Sequence, residues 1–394
     1  MQARGPARGY YPEPTKSILV VAPGKFSWAE EHFRGLGIRV VTGHHYLVGF
    51  IGDADAEREW LREKVQGWTE SVNVLAGVAH KQPQSAYAGL QNSLQQEWDF
   101  VHRVTLGVGE ASVLVEEALR EIFVPELFKG LREGVLEREN TRLPAKQAGL
   151  ALPDPLQAAP EKWTASCVIT GHLVASLRGQ VVFQTADHLA CLWRGQLAVR
   201  HRGEKRAEEA LMAALEGAPV LQERRMRRAA KTRAWLTVLP STVNGTDLGA
   251  QDCRDALFLR YGLELPDLPK YWDGCEVRFS ISHSLDCKKG GLVTACHNEL
   301  RDGVADLAGK AFTLSHVRDD PLIYSGRAVS RMKPTLAGST KPNPTIETPA
   351  APEVTEQKGD LLIRDLWQQV TDSVHDMRVV NTDTRLYLEK APEF

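Results

Sequence analysis

The sequence predicts a mixed α+β protein, and three observations carry that prediction. Short apolar runs near the N-terminus have the length and alternation of strands. Apolar residues then recur at helical spacing over a long stretch. Two further short apolar runs, each bearing an acid, stand near the C-terminus.

Taken in order, residues 17–22 (Ser-Ile-Leu-Val-Val-Ala) and 37–52 read as strands, the second segment holding Ile38-Arg-Val-Val41 and Tyr46-Leu-Val-Gly-Phe-Ile51. Trp60, Leu61, Val65, Trp68, Val72 and Leu75 mark a helix, and Tyr87, Leu90, Leu94, Trp98 and Val101 mark a second. A third runs through Val115, Leu119, Ile122 and Phe123, with Pro125 interrupting or kinking it. These stripes read as core packing, the tryptophans included. Residues 138–158 read as loop, with Leu143-Pro144 and Leu152-Pro-Asp-Pro155. Helix resumes at about Lys162 and passes Leu177, and a basic helical region covers 203–236. Residues 333–357 are proline-rich and apolar-poor, which predicts a mobile linker or inserted loop. Internal repeats are absent.

Length allows two or three domains. The formal net charge of −2 gives no global argument for a polyanionic partner, so the local distribution decides. Arg224, Arg225, Arg227, Arg228, Lys231 and Arg233 form a dense basic stretch, preceded by Arg200, Arg202, Lys205 and Arg206. Such a stretch is either a footprint for phosphate backbones or a solvated helix face. Cys167, Cys191, Cys253, Cys275, Cys287 and Cys296 are scattered and do not read as a disulfide framework. The early apolar run Ile18–Ala22 is too short for a secretory signal, and no stretch reaches transmembrane length. The expected setting is a reducing interior, nuclear or cytoplasmic, with the protein neither secreted nor in a membrane.

The C-terminal pair of runs is the constellation with chemistry in it. Gly359-Asp360-Leu-Leu-Ile and His375-Asp376-Met-Arg378-Val-Val fold back on each other about Gln368 if both are strands, which sets Asp360 opposite Asp376. Asp376 and Arg378 then share a face, because side chains alternate with period two. Two carboxylates and a cation suit a Mg²⁺-dependent phosphodiesterase. The other reading is a hairpin with surface acids. Upstream, Cys275, His283 and Cys287 stand as Cys-x7-His-x3-Cys, three of the four ligands a tetrahedral Zn²⁺ site wants. A full knuckle would have a further cysteine at position 272, where Trp272 stands, and Cys296 is a poor substitute. The alternative is a small loop held by packing, with free thiols.

In order and spacing these segments resemble the C-terminal part of a reverse transcriptase polyprotein from a non-LTR retrotransposon, of the class with a restriction-like endonuclease at its end. Tyr11-Pro-Glu-Pro-Thr-Lys16-Ser resembles the lysine-bearing turn at the end of the polymerase palm, with Lys16 as the lysine that neutralises pyrophosphate charge. Gly43-His-His-Tyr-Leu-Val-Gly49 resembles the primer-gripping hairpin. Residues 1–54 are then a palm remnant with that hairpin, and 55–137 a helical thumb. Residues 138–240 are the helical connector, including the similar stretch Leu143-Pro-Ala-Lys-Gln-Ala-Gly-Leu-Ala-Leu-Pro-Asp154. Trp235-Leu236 to Pro240 and Phe258-Leu-Arg-Tyr-Gly262 resemble the approach to the knuckle, and 241–292 is a degenerate zinc-knuckle region. Residues 293–394 are an endonuclease-like α/β domain interrupted by the linker at 333–357. Its first helix begins at His297-Asn-Glu299-Leu-Arg-Asp302, where an acid, Glu299 or Asp302, completes the metal site. Asp360 and Asp376 match the nuclease acids.

The departures are specific. The polymerase aspartates are missing. Asp319-Asp320 has the wrong flanks, so the catalytic palm is expected upstream of Met1 and is an expected partner. Val48 replaces a primer-grip glycine and would crowd its turn. Trp272 removes a zinc ligand and weakens that site. Arg378 stands for a lysine, a clamp on phosphate more than a proton shuttle. The resemblance therefore implies a DNA- and RNA-binding fragment without polymerase activity, with a Mg²⁺-dependent nicking domain. The alternatives are a non-catalytic binding remnant, or a decayed reading frame with no molecular function.

Overall fold

The computed structural model describes residues 13–129, 138–216, 218–313, 316–325 and 356–377, with residues 7, 9, 11 and 379 besides. It is mixed helix and strand, with the strands in small sheets. The chain divides into two units, Met1–Pro266 and Asp267–Phe394.

In the first unit, β1 (Ile18–Val20) pairs in parallel with β2 (Arg39–Val41), with α1 (Phe26–Phe33) between them in sequence. β3 (Gly43–Tyr46) and β4 (Gly49–Gly52) form an antiparallel hairpin in which Tyr46 faces Gly49. Leu47 and Val48 are its two-residue turn, at φ 47° and 68°. Two positive φ values make the primed turn that matches strand twist, a conformation Asn-Gly adopts easily and valine does not. The crowding predicted at Val48 is thus met by a left-handed backbone. At the open end, a Cβ on Gly52 would lie 2.4 Å from the Gly43 Cα, so this close approach needs glycine.

α2 (Ala54–Ala79) starts at Asp53, whose carboxylate accepts from the Asp55 N–H at 3.2 Å. It buries Leu61, Val65, Trp68, Val72 and Ala76 along one face, at steps of three and four. α3 (Pro83–Gly89), a π turn over Leu90–Leu94 and α4 (Gln95–Val104) bring Tyr87, Leu90, Leu94, Trp98 and Val101 into the same core. Both stripes are core, as their spacing predicts. After α5 (Val108–Ala111), α6 (Val113–Ala118) runs through a second π turn, Leu119–Phe123, into α7 (Val124–Leu127). Pro125 does not break this segment. Its ring and missing N–H are accommodated where the ladder widens just before it.

α8 (Arg138–Arg142) docks by charge. The buried Arg138 guanidinium makes two bonds to Glu116, at 2.8 and 3.0 Å, and donates to Thr141 and to the Leu152 carbonyl. Arg142 reaches Glu116 at 2.9 Å and Asp154 at 3.2 Å. α9 (Pro155–Leu177) begins earlier than Lys162, because Asp154 caps it through the Leu156 N–H at 2.9 Å and Pro155 takes its first position. α10 (Thr185–Leu215), α11 (Val220–Lys231) and α12 (Ala234–Thr237) replace the single basic region expected over 203–236, and Pro219 is the N-cap of α11. α13 (Ala250–Tyr261) sits within the range expected to be zinc knuckle, yet it buries Cys253 and Leu257 in the first unit's core.

In the second unit, α14 (Ile281–Asp286) and α15 (Leu292–Ala311) precede the strands. β5 (Val317–Asp319) is followed by β6 (Leu322–Ser325), β7 (Glu356–Lys358), β8 (Leu361–Arg364) and β9 (Asp372–His375). β8 is the centre of an antiparallel sheet ordered β5-β8-β9, and β6 pairs with β7. Leu361 and Ile363 alternate inward and pack with Ala308, Val304 and Val317. α15 is the flanking helix expected at 297–309. The linker expected over 333–357 lies outside the described residues except at its end, where Glu356–Lys358 is strand.

Candidate functional site

The hairpin of β8 and β9 turns about Gln368. Leu361 faces His375, Leu362 faces Val374 and Arg364 faces Asp372. One step beyond the ladder, Asp360 donates its N–H to the His375 carbonyl at 3.0 Å and stands opposite Asp376. The Asp376 side chain is within hydrogen-bonding contact of the Asp360 carboxyl. β5 runs antiparallel to β8, so its Asp319 and the following Asp320 reach this same end of the sheet, and the Asp320 N–H meets the Asp360 carbonyl at 3.3 Å.

Asp360 is held at both sides of one oxygen. Its Oδ2 accepts from the Met377 N–H at 2.5 Å and lies 3.2 Å from His297 Nε2. The Met377 N–H, opposed by partial burial and helped by His297 and Asp376, holds the carboxyl below the usual carboxylate range. His297 Nδ1 lies 3.3 Å from the Asn298 side-chain oxygen. Both ring nitrogens therefore face acceptors, the arrangement of an imidazolium. Asn298 first, and Asp360 next, raise the His297 pKa above its ordinary value.

Glu299, expected to complete the acid cluster from α15, does not join it. A step of two residues along a helix turns the side chain by roughly 200°, and Glu299 is exposed while His297 faces Asp360. Asp302 pairs instead with Arg301 at 2.8 Å. Arg378 lies outside the described residues. Among the described residues, the one group of three His, Cys, Asp or Glu ligand atoms within 4.8 Å of each other is Cys275, His283 and Cys287. The acids thus offer a pair for Mg²⁺ and no third carboxylate.

The Cys–His–Cys group is assembled locally. The turn between Tyr271 and Arg278 presents Cys275. Ser280 caps α14 by accepting from the His283 N–H at 3.1 Å, which fixes His283 in the first turn, and Cys287 closes the helix. Cys275 Sγ and His283 Nε2 are 3.0 Å apart. Two thiols and an imidazole with their ligand atoms all within 4.8 Å of one another are a donor set of the kind Zn²⁺ takes, and the short Cys275–His283 contact would open by about half an ångström around a tetrahedral ion. Trp272, in the position of the missing ligand, has a different job. Its indole N–H donates to the Lys289 carbonyl at 3.2 Å, its ring lies 5.7 Å from Phe279, and a Cβ on Gly290 would meet it at 3.2 Å. The loop is closed there by an aromatic side chain. Cys296 is outside the group.

No family model, no curated protein and no solved structure matches this chain.

The basic stretch is less of a surface than its composition predicts. Arg224 is buried at 7% exposure. Arg225 turns toward the Gly262 carbonyl, and Arg227 pairs with Glu223 at 2.7 Å. Arg228 is half-buried, while Lys231 is exposed. The exposed basic residues of the stretch are Arg227, Lys231 and Arg233. A helix packed on α13 has to turn some of its arginines inward. Lys16 is exposed and pairs with Glu13 at 2.8 Å. His297 joins the site without having been singled out for it, while Asp319 and Asp320 lie at the same sheet end with the Asp320 carboxylate 3.6 Å from Arg301. No helix among the described residues is long and apolar enough to cross a membrane.

Proposed function

We propose that this chain is a piece of retrotransposon reverse-transcription machinery that binds nucleic acid and nicks DNA with Mg²⁺ at Asp360 and Asp376. The observation that carries this reading is the register of β8 and β9, which brings the two acids together at one sheet end. Asp360 Oδ2 is occupied by the Met377 N–H and the His297 ring, so Oδ1 is the oxygen left to share a hard cation with Asp376. Mg²⁺ held there would lower the pKa of a bound water and offset charge on the phosphodiester. His297 positions the Asp360 carboxylate, as an outer partner does for a ligating acid. The Cys275–His283–Cys287 group takes Zn²⁺ and fixes its loop against duplex.

Conversion of supercoiled plasmid to open circles tests this. The wild-type chain nicks with Mg²⁺ and not with chelator, and Asp376→Ala abolishes the activity. Equal nicking by both proteins refutes it. Binding without catalysis is the second reading, favoured by the contact of His297 with Asp360 and by the absence of a third carboxylate among the described residues. Under it, nucleic-acid affinity falls steeply with salt while nicking is absent; affinity that is flat with salt removes it.

A further inference from the structure

A cavity of about 60 Å³ lies among α8, α11 and α13 of the first unit. At roughly 10–15 Å³ of such volume for each water, it has room for several waters or one small oxyanion. Its polar lining is Asn140, Gln222, Arg225, Arg260 and Tyr261, and neither Asp nor Glu lines it.

The charge balance of this lining is unusual. Arg260 is 6% exposed. Its terminal nitrogens donate to the carbonyls of Ala229, Ala145 and Gly149 at 2.6, 3.0 and 3.2 Å. Those acceptors are neutral, and among the described residues no carboxylate pairs with this guanidinium. Its Nε is buried without a hydrogen-bond partner. A buried cation compensated by dipoles alone is costly. Arg225, from α11, lies over Gly262 and reaches only its carbonyl, at 3.5 Å, the outer limit of a hydrogen bond. It too lacks a carboxylate among the described residues. The Asn140 side-chain oxygen is also buried without a partner, and its amide can present either face. Two cations, a buried N–H without an acceptor and adaptable amides around a small space form a donor set suited to an anion with several oxygens.

We propose that this cavity binds a phosphate-type oxyanion, with Arg225 and Arg260 supplying the charge and Asn140 and Gln222 supplying amide N–H donors. The site depends neither on the acid pair nor on the Cys–His–Cys group, both of which belong to the second unit. The ligand chemistry is shared by free inorganic phosphate and by a phosphodiester of nucleic acid.

Calorimetric titration of the full chain with inorganic phosphate, at ionic strength held constant with potassium chloride, tests the site. One saturable equivalent is expected. Arg225→Gln removes a charged donor and is expected to weaken binding about tenfold or more. Gln222→Glu, at an exposed helical position, sets a carboxylate at the mouth and is expected to abolish binding with the fold retained by circular dichroism. Absence of saturable heat with the wild-type chain overturns the proposal, as does wild-type affinity in both variants. A short unphosphorylated oligonucleotide then separates the two sources. Displacement of phosphate by it assigns the cavity to a backbone phosphodiester, and phosphate binding without displacement assigns it to the free anion.

Discussion

Replacing Glu116 with glutamine removes the one carboxylate that Arg138 contacts among the described residues. The arginine is 8% exposed and makes both of its carboxylate contacts, at 2.8 and 3.0 Å, to that residue. Arg142 is less affected, because Asp154 and Glu139 remain to it at 3.2 and 3.1 Å. The cost is therefore that of one uncompensated buried guanidinium. Breaking such a pair from one side costs about 3–5 kcal/mol. The glutamine oxygen still accepts one hydrogen bond and the Leu152 carbonyl another, which favours the lower end, about 3 kcal/mol. At about 2–4 °C per kcal/mol for a unit of this size, the transition of the first unit falls by roughly 6–12 °C. Thermal unfolding followed by circular dichroism reads this directly. The paired replacement Glu116→Leu with Arg138→Met removes both charges and is expected to recover much of the loss. A Glu116→Gln shift under 2 °C, or a double variant worse than the single one, refutes the reasoning.

Val48→Gly relieves a left-handed valine at φ 68° and is expected to stabilise the chain by about 1 kcal/mol, read as a raised Tm; a lowered Tm counts against it. His102 is fully buried with neither ring nitrogen hydrogen-bonded, and burial first, then Lys162, pulls its pKa down to about 3. The unfolded chain takes up that proton near pH 6.5 and the folded chain does not. Stability thus falls as pH drops from about 6.5 toward about 3, by up to about 1.4 kcal/mol per unit, and His102→Leu is expected to flatten this slope in denaturant titrations across the range. Zinc analysis of the purified chain is expected to give one equivalent, lost in Cys287→Ser; an unchanged zinc content in the variant removes the metal centre.

The C-terminal hairpin was legible because two short apolar runs stand equidistant from Gln368 and period two fixes which residues face each other. The helical stripes of α2 and α4 were legible for the same kind of reason. The partner of Asp360 was not. On α15 the larger apolar residues mislead, since Leu300 and Leu307 are 47% and 66% exposed while the small Ala308 is buried against Leu361 and Ile363. The face carrying His297 is fixed by that alanine, and hydrophobicity alone points elsewhere. Asp154-Pro155 is a helix start in its own right, a cap followed by a proline at the first position, and it was obscured by the prolines around it. The density of arginine in α11 is visible in the sequence, but the inward turn of Arg224 depends on packing against α13.

β6 and β7 give the second unit a place to take new sequence. Ser325 and Glu356 are partners across that ladder, so these two positions, thirty-one apart in sequence, are neighbours in space. A reporter or affinity tag whose own ends are close together matches the spacing between Ser325 and Glu356. The unit thereby offers an internal attachment point that keeps its acidic end clear.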